Sequence, residues 1–214
     1  MAPFLNICPA SSPHYIPGMP VPVITPTVLF EIPPIPTGNS YYRRLSYAAM
    51  GNQYLLYTYE RLRNQLAMQT VDIPDGGLCR QPLNGINHAA WILGHMIWFE
   101  HGLLTSVLNE KLPIVLDPNW TQVYGSASEP RNAPGLYKVK TQYLLMLEAT
   151  AQAAVHALSH ARPETFEQPN PNDRSKGMFP TIGTALAALC THRSYHLGQL
   201  AIWRRIVGLP HAGL

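Results

Sequence analysis

The sequence contains few charged residues, and their distribution argues against nucleic-acid binding. Only 13% of the 214 residues are charged, about half of the usual share. The 15 basic residues form no cluster larger than the pairs at 43–44 and 204–205. A protein that follows a phosphate backbone concentrates lysine and arginine on one face. We therefore expect no nucleic-acid partner.

Cysteine and long apolar runs are also scarce. Cys8, Cys79 and Cys190 are odd in number and have no CxxC spacing, which disfavours a disulfide framework and predicts a reducing compartment, the cytoplasm. The longest charge-free stretch after the first 38 residues spans 81–99, and it contains asparagine and histidine. Such a stretch disfavours a membrane span.

Proline is abundant, but it is concentrated at one end. Ten of the 21 prolines lie in the first 36 residues, and residues 1–38 contain a single formal charge, Glu31. Because proline interrupts helices, this segment is predicted to be an extended or polyproline-like arm, either disordered or lying on the rest of the protein. It lacks the features of a signal peptide, and a misassigned start codon is an alternative explanation. Residues 39–214 are then expected to form one domain.

Four segments show helical periodicity. They span about residues 41–70, 84–108, 135–159 and 181–207, and stretches rich in Pro, Gly, Asn and Asp separate them. No segment alternates with period two, so the predicted fold class is all-α. The three connections are long enough to permit crossovers, which predicts a four-helix bundle that need not be simply up-down-up-down.

Histidine is the residue type in this sequence that best indicates a functional site. No GxGxxG, GxxxxGK[ST], HExxH, GxSxG or Glu-x-x-His motif occurs, which removes support for the nucleotide, hydrolase and di-iron folds that use them. In the fourth segment, His192 and His196 are four residues apart and therefore share one helix face. At about 100° per residue, both lie on or beside the apolar stripe formed by Leu189 and Leu200.

A third histidine in another segment could complete a metal site. His95 lies on the same apolar stripe of the second segment as Trp91 and Phe99, whereas His101 points away. His88 shares the face of His95 one layer away and is a reserve candidate. Neutral imidazole is a common ligand of zinc, nickel and iron. The alternative is that these histidines are hydrogen-bonded core residues.

Facing, rather than spacing, distinguishes this histidine pair from another. His156 and His160 repeat the four-residue spacing in the third segment, but they lie opposite its apolar stripe and in its last turns. There an imidazolium is favoured by the helix dipole. We therefore interpret them as solvated residues.

A second apolar line on the fourth segment faces away from the predicted core. Its members are Ala188, Tyr195, Ile202 and Ile206. Two explanations remain open: a loop or the proline-rich arm covers this line, or it forms a two-fold homodimer interface.

Two stretches resemble the signature helices of the DinB/YfiT-like superfamily. They are NHAAWILGHMIWFEHGLL and HRSYHLGQLAIWRRIVGLP, and the resemblance covers about residues 39–214. It implies a four-helix bundle with long crossovers, commonly dimeric. In that family one histidine of the second helix and a His-x-x-x-His pair of the last helix hold a divalent metal, which implies His95, His192 and His196 here.

The resemblance also implies a class of chemistry. Characterised relatives include thiol S-transferases and a thiol-dependent isomerase. A low-molecular-weight thiol or water, activated at the metal, is therefore expected to attack a small electrophile, which makes the expected partner a small-molecule substrate. The alternative is a non-catalytic metal- or ligand-binding bundle with a stress-associated role. One departure from the family is Arg193, where many relatives carry an acidic residue. A cation beside the site is expected to disfavour a divalent ion unless it contacts an anionic substrate.

Overall fold

The computed structural model describes the backbone of residues 40–212 and the side chains of residues 51–212. Six α-helices occur in this part of the chain: α1 (Ser40–Thr70), α2 (Ala89–Ser106), α3 (Trp120–Tyr124), α4 (Lys140–His160), α5 (Pro163–Phe166) and α6 (Ile182–Ile206). Residues 40–212 form no strand, and one isolated bridge joins Pro169 and Thr181. The all-α prediction is therefore confirmed. The predicted proline-rich arm, residues 1–38, lies outside the described residues.

The four long helices form the predicted bundle. α1 packs against α4 and α6, and α2 packs against the same two helices. Helices α1 and α2, which follow each other along the chain, are thus diagonal to one another, as are α4 and α6. Two of the three connections therefore cross the bundle, which is the arrangement that their length permitted. None of the described helices is long and apolar enough to cross a membrane.

Local sequence explains where the helices begin and end. The side chain of Thr181 accepts a hydrogen bond from the backbone N–H of Thr184, and that of Thr184 accepts one from Thr181, a capping box that starts α6. Gly208, with φ of 81°, follows the end of α6. The second helix begins at Ala89 rather than at residue 84, because Gly85 has a positive φ and His88 serves as the N-cap.

Buried side chains form two apolar clusters along the bundle. One contains Trp120, Tyr143 and Trp203, and the other contains Tyr59, Leu104 and Leu189. Low charge in the sequence is thus explained by helices such as α2, in which most residues are buried. The three histidines of the predicted metal site, His95, His192 and His196, lie where α2 and α6 pack together.

Candidate metal centre

Helices α2 and α6 bring three histidine side chains together. The Nε2 atom of His192 lies 3.2 Å from Nε2 of His95 and 3.2 Å from Nε2 of His196. His95 and His196 are buried, and His192 is half-buried. Because His192 and His196 are one helical turn apart, α6 alone sets their separation. The position of His95, 97 residues from His192 along the chain, depends on the packing of the two helices.

Hydrogen bonds on the far side of two rings fix which nitrogen carries the proton. Nδ1–H of His95 donates to the backbone carbonyl of Tyr124 at 2.6 Å, and Nδ1–H of His196 donates to Oε1 of Gln199 at 2.9 Å. Gln199 Oε1 also accepts from Nδ2 of Asn87 at 3.0 Å, which supports its assignment as oxygen. In both histidines the Nε2 atom is therefore left with its lone pair directed at the cluster.

The electrostatics of the cluster keep the imidazoles neutral. Burial lowers the pKa of His95 below its usual value. Burial and the neighbouring imidazoles lower the pKa of His192 to about 2, and burial together with His95 lowers that of His196 to about 4. Neutral imidazole is the form that binds metal ions. The cluster is therefore in its ligand form at neutral pH.

This donor set fits a divalent ion. Nitrogens bound at about 2.0–2.1 Å to a tetrahedral zinc ion are roughly 3.3–3.4 Å apart, close to the 3.2 Å separations in the cluster. Two adjacent lone pairs, on His95 and His196, face His192 Nε2, and a single N–H can satisfy one of them but not both. A shared cation would satisfy all three nitrogens. His192, His196 and His95 are thus brought together as the sequence predicted.

Aromatic side chains hold the rings in place. Trp91 stacks on His95 with ring centroids 4.5 Å apart, and Phe99 stacks on His192 at 3.6 Å. Trp98 contacts the ring of His95 as well, at 5.4 Å. These contacts restrict ring rotation and leave the imidazoles in a mostly apolar surrounding.

The short helix α3 supplies the carbonyl that orients His95. Trp120 Nε1–H donates to the backbone oxygen of Gly94 at 3.1 Å, which ties α3 to α2. A Cβ atom on Gly94 would collide with the ring of Tyr124. Glycine at this position is therefore what allows Tyr124 to approach His95 closely.

Three other histidines, His88, His156 and His160, lie away from the cluster. His88, the reserve candidate, is fully buried, accepts the Trp91 N–H at Nδ1 and contacts the carbonyl of Arg131 through Nε2. Nδ1 caps the start of α2 and Nε2 is bonded to a backbone carbonyl, so both nitrogens are occupied and His88 is not available as a ligand. His156 and His160 lie exposed on α4, as their facing predicted, and His156 contacts Glu110.

Arg193 does not lie against the histidines as a free cation, although, besides burial and the neighbouring imidazoles, its positive charge contributes to the lowered pKa of His192. Its side chain points into the bundle, where Nε and Nη2 donate to the two carboxylate oxygens of Glu100 at 2.7 and 2.6 Å. Tyr59 donates to Glu100 at 2.7 Å, and its ring lies 4.5 Å below the guanidinium. Glu100 thus compensates the positive charge of Arg193. The side chains of His192 and Arg193 point in different directions because consecutive residues of a helix are about 100° apart.

Sequence reasoning missed the two groups that orient the ligands. Gln199 follows His196 by three residues, a spacing that places both on one helix face, so this partner could have been found. The carbonyl of Tyr124 is a backbone group in a connection and has no sequence signature.

The fold and the site together define a class: an all-α bundle with a trihistidine cluster, suited to a metal ion, between two of its helices. The sequence model of a known family, the DinB superfamily, matches residues 58–200. This region is more than half of the chain and includes all three histidines. The chain therefore belongs to the DinB superfamily. A search of curated proteins found no match.

Proposed function

We propose that His95, His192 and His196 hold a divalent metal ion, zinc, nickel or iron, and that the protein is a metal-dependent enzyme. It would activate a low-molecular-weight thiol or water for attack on a small electrophile, as a thiol S-transferase does. The observation that carries the proposal is the convergence of three Nε2 atoms, two of them with the proton held on the opposite nitrogen by Tyr124 and Gln199.

The donor set favours activation of a bound nucleophile. An ion held by three neutral ligands keeps its full positive charge and would lower the pKa of a thiol or water bound at an open position. The chain contributes orientation. Tyr124 and Gln199 hold the rings of His95 and His196 through hydrogen bonds. Trp91 stacks on the ring of His95, and Phe99 stacks on that of His192. The aromatic wall also favours an apolar portion on the electrophile and limits access of bulk water.

We do not assign Glu100, which lies on the same helix as His95, as a general base. Both of its carboxylate oxygens accept hydrogen bonds from Arg193, and Tyr59 donates a further one. The side chain is fully buried, and these three hydrogen bonds hold its carboxylate inside the bundle. Its contribution to function is therefore positional, through the packing of α1, α2 and α6.

Metal analysis of the full chain, purified without a histidine tag and loaded with zinc, nickel or iron, tests the first part. We expect one ion per chain, and we expect His192→Ala to lose it. His156→Ala, which removes a surface histidine of the same four-residue spacing, is the matched control and should keep it. Failure of every metal to bind stoichiometrically would contradict the proposal.

A cobalt-substituted sample tests the second part. Titration with low-molecular-weight thiols should produce a new sulfur-to-metal absorption band, because a thiol would bind at the open position as thiolate. An unchanged spectrum, together with a stoichiometric ion whose removal lowers stability, would favour the alternative of a non-catalytic metal-binding bundle.

We also propose that the protein is a homodimer and that it is located in the cytoplasm. Tyr195, Ile202 and Ile206 are exposed on one side of α6, by 64%, 57% and 39%, whereas Ala188 is buried. We expect a second copy to cover this apolar side. Ile202→Lys should give a monomer by light scattering, and Leu145→Lys, on the exposed side of α4, should not. A monomeric wild type would contradict the dimer.

A further inference from the structure

A second pocket lies on the other side of the bundle, between α1 and α4. It is a groove open to solvent with a volume of about 570 Å³, within the usual range of about 300–1,000 Å³ for small-molecule sites. Its lining includes Leu66, Leu144 and Leu147 but none of the three clustered histidines. The pocket is thus separate from the proposed metal site.

Arg193 is one of the residues that line the pocket, and one of its guanidinium nitrogens makes no hydrogen bond with the described residues. The side chain is fully buried, and Glu100 accepts hydrogen bonds from its Nε and Nη2 atoms. Nη1 is buried as well and has no hydrogen-bond partner among the described residues. A buried N–H without an acceptor is unfavourable. Nη1 is therefore the guanidinium nitrogen for which no described residue supplies an acceptor.

The charges around the pocket favour an uncharged molecule. Glu100 already compensates the positive charge of Arg193. Arg63, also in the lining, is paired with Glu148, with Nε donating at 3.1 Å. An anion would add an uncompensated charge near two carboxylates, and a cation would add one near two guanidinium groups. A neutral carbonyl can accept from Nη1 without either penalty.

We propose that the pocket between α1 and α4 binds a small, uncharged molecule with an apolar body and a carbonyl group, such as an amide, ester or ketone. The carbonyl oxygen accepts from Arg193 Nη1, and the apolar body packs against Leu66, Leu144 and Leu147.

Three probes with apolar chains of similar length and different head groups test this assignment: hexanamide, hexanoate and hexylammonium. Their dissociation constants for the full-length protein are measured by saturation-transfer NMR, without added metal. Hexanamide should bind at least tenfold more tightly than either charged probe. Equal or tighter binding of hexanoate, or no saturable binding of hexanamide, would overturn the proposal.

Filling the pocket shows whether the probe binds there. Ala67 is an exposed residue of the lining, and its neighbour Met68 is exposed but outside the lining. Ala67→Trp should weaken hexanamide binding at least tenfold, whereas Met68→Trp should leave it unchanged. Val71→Trp, at another exposed lining position, provides a second test should Ala67→Trp not fold. Equal affinities in the lining variant and the control would overturn the assignment.

Discussion

Replacing Gln199 with alanine removes one hydrogen bond that orients the proposed metal site. Oε1 of Gln199 accepts from Nδ1 of His196 at 2.9 Å and from Nδ2 of Asn87 at 3.0 Å. His196 is only 3% exposed, so water has little access to the freed Nδ1–H. An unsatisfied buried donor costs about 1–3 kcal/mol.

The metal-free and metal-bound forms should respond differently to Gln199→Ala. Without metal, His196 can move its proton to Nε2 and donate to His192, 3.2 Å away. With metal bound at Nε2, the proton must remain on Nδ1 without a partner. The penalty therefore falls on the bound form, and we expect the metal affinity to decrease by about 10- to 100-fold, or about 1.4–2.7 kcal/mol. The unfolding free energy of the metal-free protein should change by less.

Competition with a chromophoric zinc chelator measures the affinity of each variant, and urea unfolding measures the stability of the metal-free forms. Gln152→Ala, at an exposed glutamine of α4, is the control and should bind zinc like the wild type. Gln199→Glu should restore the affinity, because a carboxylate accepts the same hydrogen bond. An affinity of Gln199→Ala within twofold of the wild type, or a Gln199→Glu variant as weak as Gln199→Ala, would refute the reasoning.

Three further predictions concern stability and the support of the site, each measured by urea unfolding of the metal-free protein. Burial lowers the pKa of His88 from 6.5 to about 4, so the unfolded chain binds more protons than the folded protein below about pH 6.5. His88 should therefore contribute about 2.5 kcal/mol to the unfolding free energy that is lost between pH 7.5 and 4.5. In His88→Asn, the loss of unfolding free energy over this pH range should be smaller by that amount. Glu100→Gln leaves the charge of the fully buried Arg193 uncompensated and should lower the unfolding free energy by about 3–5 kcal/mol. Glu148→Gln, which breaks the half-exposed pair with Arg63, should lower it by less than about 1 kcal/mol. Equal losses would contradict the burial argument. Gly94→Ala gains about 1 kcal/mol of helix propensity, but the added Cβ collides with the Tyr124 ring. We expect a net loss of up to about 2 kcal/mol in unfolding free energy and weaker zinc binding. A stabilised variant would contradict the close approach of Tyr124 to Gly94.

Fold class and much of the candidate site could be predicted from the sequence because both depend on local periodicity. The four long helices follow from apolar spacing, and Thr181 and Gly208 mark the ends of α6 at the expected places. His192 and His196 share a face because four residues are close to one helical turn. The facing of His95 follows in the same way from its neighbours on α2.

Several features required the tertiary structure because residues distant in sequence decide them. His88 and His95 share one face of their helix, yet His88 lies at the N-cap and His95 at the seam with α6. The direction of Arg193 became clear only with Glu100, 93 residues away. The short helices α3 and α5 were not predicted, since four or five residues carry too little periodicity.

By itself, the sequence determined an all-α chain with an i,i+4 histidine pair on the apolar face of its last long helix, because helical geometry is a property of consecutive residues. Only the tertiary structure decided that His95 meets that pair at 3.2 Å and that a backbone carbonyl and Gln199 direct the lone pairs inward. It also decided that Arg193 pairs with Glu100 inside the bundle rather than lying free beside the histidines. Distances between helices depend on how their side chains pack, and no spacing within one helix specifies that packing.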